Sequence, residues 1–259
     1  MASVPQPSLP LFYKDLMPLN SNDHGSWHMK GSETAQWLVG QHAIPLTVDE
    51  MVQAQRHFPI VFSAGENPVP LALMGMNEGV NVFVNADGKV EEPIYIPAYI
   101  RRYPFILAKL RQDSDDLSLC FDPTADTVGD FKDGEALFTA GKPSDATQRV
   151  LQFCEQFEQA GQRTRVFMDE LKKHNLLMDG EVAITQTDQG DKPFIYRGFQ
   201  MIDQEKLREL RGDQLRTWNQ NGMLPILFAQ IFSLELMRVI FAKQAQRGLV
   251  PQANMVQPN

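Results

Sequence analysis

Residues 223–242 form an apolar run about as long as a bilayer is thick, yet Gln230, Ser233, Glu235 and Arg238 interrupt it. An acid and a base one turn apart are costly inside lipid, so the run predicts a helix buried in protein. Its apolar set, Leu224, Leu227, Phe228, Ile231, Leu234, Met237, Ile240 and Phe241, is wider than a single stripe. The expectation is a C-terminal helix buried on most sides, beginning with Pro225 near its first turn and ending near Arg247, against a domain core or a subunit interface.

The chain ahead of it changes character several times. Residues 1–46 carry Pro5, Pro7, Pro10, Pro18 and Pro45 among polar residues, which predicts an extended N-terminal segment packed on the domain. Thr47 followed by Glu50 is a capping-box spacing, with a short helix ending before Pro59. From Phe58 to Pro97 come short β-rich runs, Pro59–Phe62, Val69–Met74, Val80–Val84 and Pro93–Pro97, with an Asn85-Ala-Asp-Gly88 turn between the last two. An antiparallel meander is expected. Residues 98–112 read as a helix kinked at Pro104, Leu117–Phe121 as a strand, and Gly134–Phe138 as another short structured run.

Ser144 can cap a long helix reaching about Lys173 and able to bend at Gly161. Val182–Thr187 and Phe194–Gln200 flank a polar turn at Asp188–Lys192, a second hairpin signal. Asp203 caps a short helix, and Gly222 ends the next. The reading is one α+β domain over 47–247, a β-meander and hairpins packed with a long helix and the buried C-terminal helix, with a flexible tail at 248–259.

Composition narrows the function classes. Of 259 residues 43% are hydrophobic and 22% charged, which suits a globular chain. A net charge of -8 argues against general affinity for nucleic acid or anionic lipid. Cys120 and Cys154 sit in apolar contexts and read as buried thiols of a reducing compartment. The start, Met-Ala-Ser-Val-Pro-Gln-Pro, lacks a basic region followed by an apolar one, so the expectation is a cytoplasmic protein without a cleaved signal peptide.

Several ordered strings then agree with one family. Pro59–Phe62, Gly75, Asn81-Val-Phe83, Gly88, Tyr95-Ile-Pro97 and Arg101-Arg-Tyr-Pro-Phe105 come first. Gly134–Phe138 with Gly141, Gly198-Phe199 with Ile202-Asp203 and Leu207, and Gly222-Met-Leu224 with Ser233-Leu234 follow. In order and spacing, from about residue 11 to 245, the chain resembles the SapC-like family of bacterial proteins. The resemblance implies no accepted catalytic motif, and gene neighbourhoods with outer-membrane receptors and with halogenase-like and cupin-like proteins. A peptide-transporter permease shares the name, but it would need several membrane spans.

The sharpest polar feature is Arg101-Arg102, since guanidinium groups suit bidentate recognition of carboxylate or phosphate, with Tyr95, Tyr99 and Tyr103 placed to frame a ligand. The plainer reading of Arg101 and Arg102 is a solvated helical turn with a structural salt bridge. His24 and His28 have helical metal-ligand spacing, but Gly25 weakens a helix there and no third ligand is near, so no metal is expected. Neither a nucleophile elbow nor a phosphate loop is present in the sequence, and Gly141-Lys-Pro-Ser lacks the donor that Pro143 removes. No catalytic residue or cofactor is assigned.

The function expected is therefore that of a non-catalytic binding or accessory protein. It would engage a peptide, a partner protein or a small acidic ligand, with no nucleic acid and no membrane insertion, and with homo-oligomers open through the C-terminal helix. The alternative is an enzyme of unrecognised type working with the oxidative neighbours that the resemblance implies.

Overall fold

A computed structural model describes residues 9–110, 116–184 and 193–249. Its helices are α1 (Val48–Ala54), α2 (Ala98–Arg102), α3 (Asp145–Lys173), α4 (Gln204–Arg208), α5 (Gly212–Gln220), α6 (Met223–Ser233) and α7 (Met237–Gln246). The strand pairings are all antiparallel, so the class is α+β. The chain divides into two compact units, Met1–Glu33 with Ile100–Glu158, and Thr34–Tyr99 with Gln159–Asn259, the second break falling inside α3.

In the first unit Leu117–Phe121 pairs with Phe105–Lys109 on one side and with Met17–Pro18 on the other. Over the described residues, which here end at 110, the segment expected as a kinked helix over 98–112 is thus a short helix followed by a strand. A residue before proline disfavours the helical region, so α2 stops at Arg102, and beyond Pro104 the run Phe105–Lys109 finds a five-residue partner strand. A second small sheet pairs His28–Met29 with Val128–Gly129 and with Glu135–Ala136. Phe105, Phe121, Val128, Leu137 and Cys154 form the core, with Trp27, Met29 and Val150 against it.

The second unit is built on a five-stranded sheet in the order Leu177–Asp179, Phe199–Ile202, Ile60–Ser63, Pro70–Leu73, Ala43–Pro45. The expected meander is realised only for Ile60–Ser63 and Pro70–Leu73. In 80–84 the Asn81 side chain accepts from Phe83 N at 2.9 Å and donates to the carbonyls of Leu38 and Gln41, which bends the chain and leaves one isolated bridge, Val84 to Val90. Pro93 and Pro97 remove ladder donors from the last run, and no strand forms there. The turn between the two does form, with Gly88 at a φ of +77°.

Helix starts follow their sequence signals. Thr47 and Glu50 close a capping box, Thr147 N donates to Ser144 Oγ, and Asp203 accepts from Glu205 N and Lys206 N. The second hairpin pairs Val182–Ile184 with Phe194–Tyr196. Its turn at 188–192 lies outside the described residues, as do 185–187, residues 1–8 and the tail from 250 on.

Met223–Gln246 is by length and composition apolar enough to cross a membrane. A 3-10 turn at Leu234–Leu236 joins α6 to α7, and burial reaches one face rather than most sides. On that face Gln230 donates to Ile60 O at 3.0 Å and accepts from Ile202 N at 3.3 Å. Ser233 Oγ accepts from Ile60 N at 2.8 Å, so both polar interruptions bind helix to sheet.

Candidate functional site

The arginine pair is delivered by α2, whose early end at Arg102 turns the two side chains toward the N-terminal half of α3. There Arg149, Phe153 and Phe157 recur every four residues and share one helix face. The Arg101 guanidinium carbon lies 5.1 Å from the Phe153 ring centre, and that of Arg102 lies 4.2 Å from Phe157 and 5.9 Å from Tyr13. Arg102 is only 5% exposed, with Nη1 3.5 Å from Glu158 Oε1. Arg149 is exposed and donates to Glu135 at 2.7 Å.

Between these groups lies a cleft of about 200 Å³. Arg101, Arg102 and Arg149 line it against a single acid, Glu135, and its apolar wall is Met29, Phe105, Ala146, Val150, Phe153 and Cys154. Three guanidinium groups and one carboxylate line the cleft, with Glu158 paired to Arg102 from outside that lining, so its charged side chains are mainly basic in a chain whose net charge is -8. The chemistry suited to that lining is an anion with a small apolar body. Burial pushes the Cys154 thiol up to about 12, which nearby Glu158 and Glu155 reinforce and Arg102 offsets only in part. The thiol is therefore protonated at neutral pH and is a wall of the cleft, not a nucleophile.

The other three residues singled out in sequence have separate places. Tyr103 belongs to the first unit but packs edge-on against Phe12 and Tyr13, with its hydroxyl 3.4 Å from Asp122. Burial and that carboxylate push its phenol up to about 12. Tyr95 and Tyr99 belong to the second unit, where Tyr95 donates to Glu50 Oε2 at 3.1 Å and Tyr99 is buried. Arg101 and Arg102 thus share the cleft, and its lining includes none of the three tyrosines.

Sequence reading missed Arg149, Phe153 and Glu135. The signal available was the Arg149/Phe153/Phe157 spacing on a helix already expected, but nothing local ties that face to residues 101–102. His24 and His28 do not share a helix face: His24 is buried in a turn against Trp27 and Phe121, and His28 lies on a strand. Among the described residues no three His, Cys, Asp or Glu side chains are placed to hold a metal.

The SapC family model matches residues 19–240. The chain belongs to the SapC family. The SapC match runs from the small sheets of the first unit into α7, so cleft residues Met29 to Cys154 all fall inside it. No curated protein and no solved structure matches this SapC chain.

Proposed function

We propose that this SapC-family protein is a non-catalytic binding protein that takes a small organic acid into the cleft of its first unit. One observation carries the reading: Arg101, Arg102 and Arg149 line the same small space with Glu135 as its only acid. A buried guanidinium held over Phe157 is pre-organised for a carboxylate, which lowers the ordering cost of binding. The volume, about 200 Å³, suits a compact acid and not a peptide chain. A neutral Cys154 thiol supports binding over covalent catalysis.

The test is a thermal-shift screen of the purified protein against small carboxylates with and without an apolar body, together with inorganic phosphate, followed by product analysis of every acid that binds. Stabilisation by acids with an apolar body, and their recovery unchanged, is the expected result. Stabilisation by none of the anions would refute binding, and conversion of a bound acid by the protein alone would refute the non-catalytic role.

A further inference from the structure

The helical run Met223–Gln246 buries Met223, Leu227, Met237, Ile240 and Phe241, yet it also leaves large apolar side chains outside. Its buried face also holds Gln230, Ser233 and Gln244, while Phe228 and Phe232 are 41% and 65% exposed, with ring centres 5.6 Å apart. Beyond them Glu235, Arg238, Val239 and Ala242 are exposed as well. With about 100° per α-helical residue and about 120° through the 3-10 turn, Phe228, Phe232, Glu235, Arg238 and Ala242 fall within about 60° of arc, with Val239 at the edge. They form one straight stripe, aromatic at one end, small at the other and charged in the middle.

We propose that this stripe is the contact between two copies of the chain, packed antiparallel about a two-fold axis that passes between Glu235 and Arg238. The charge pattern is self-complementary: about that axis Glu235 of each copy faces Arg238 of the other. Neither residue closes an ion pair within the chain among the described residues. Size follows the same register, because Phe232 of one copy then lies over the small side chains Val239 and Ala242 of the other, a large end against a small end. An adjacent apolar cleft of about 390 Å³ beside Phe228 widens the surface beyond a single helix. A lipid layer would accept the phenylalanines but would bury an acid and a base midway along the stripe, which the two-fold pairing satisfies instead. The inference stands apart from the acid-binding cleft, none of whose lining residues it uses.

Charge reversal in the full-length chain tests it, read by sedimentation equilibrium with circular dichroism confirming the fold. Wild type is expected to dimerise, and Glu235→Arg and Arg238→Glu each to weaken self-association at least about tenfold by placing like charges opposite one another. Mixing the two single variants should restore a one-to-one dimer, the double reversal should restore a homodimer, and Phe232→Ser should be monomeric. A monomeric wild type would overturn the proposal, as would single reversals that dimerise as wild type does. Monomers that co-sediment with anionic phospholipid vesicles in a Phe232-dependent way would also overturn it and make the stripe a membrane face.

Discussion

The guanidinium of Arg102 lies over Phe157, with its carbon 4.2 Å from the ring centre, while its ion-pair partner Glu158 follows Phe157 directly on α3. One helical turn thus supplies both the aromatic surface and the counter-charge that allow an arginine to stay charged when almost fully buried. Glu158 is 40% exposed, so it can be rehydrated if the arginine is removed.

Arg102→Ala should therefore cost about 1–3 kcal/mol, chiefly through lost stacking and packing, and less than the loss of one partner from a fully buried pair. Arg102→Lys keeps the charge but not the planar stack and should recover only part of this. Chemical denaturation of the two variants beside wild type measures both. Equal stability of all three would show that the stack contributes nothing.

Gln230→Leu should destabilise by about 1–3 kcal/mol although it makes the helix more apolar, because Ile60 O and Ile202 N lose a buried partner. Urea midpoints at a constant slope would show it. A more stable variant would mean that these backbone groups find other partners.

Gly75 shows how a small residue can be required without a positive φ. A Cβ there would lie 2.0 Å from Val80 O, a backbone atom that cannot swing aside as a side chain can. Gly75→Ala is expected to cost about 1–3 kcal/mol by overpacking, seen as a lower melting temperature, whereas Gly161→Ala on the open face of α3 should be neutral or stabilising.

Burial lowers the pKa of His42 from the usual 6.5, against an opposing pull from Glu78. With the folded value below the unfolded one, the unfolded chain takes up the proton first as pH falls. The contribution of neutral His42 is thus present above about 6.5 and is lost as pH drops through the folded value. Stability of wild type should fall as pH drops below about 6.5, and the fall should be smaller in His42→Gln. Matching profiles for the two proteins would remove His42 from the account.

Local rules made much of this fold legible. The capping box at Thr47, the Asp203 cap, the Leu117–Phe121 strand and the long α3 all follow from patterns within a few residues of each other. Phe105–Lys109 was not legible as a strand, because its conformation depends on a partner at 117–121 and a helix reading was equally open locally. The same limit applies to the cleft. Arg101 and Arg102 stood out as a charged aromatic-flanked pair, but Arg149 and Phe153 are about fifty residues onward, and only tertiary packing brings them to the same space. Gln230 and Ser233 were legible as wrong for lipid, while their strand partners were not.

Calorimetric titration of benzoate into wild type and Arg149→Ala tests the acid-binding cleft most directly. Arg149 is exposed and paired only at the surface with Glu135, so its removal should change folding stability by less than about 0.5 kcal/mol. The account predicts saturable one-to-one binding to wild type, weakened about tenfold in the variant by loss of one charge-assisted contact. Identical affinity of the two proteins, or no saturable heat with wild type, would contradict it.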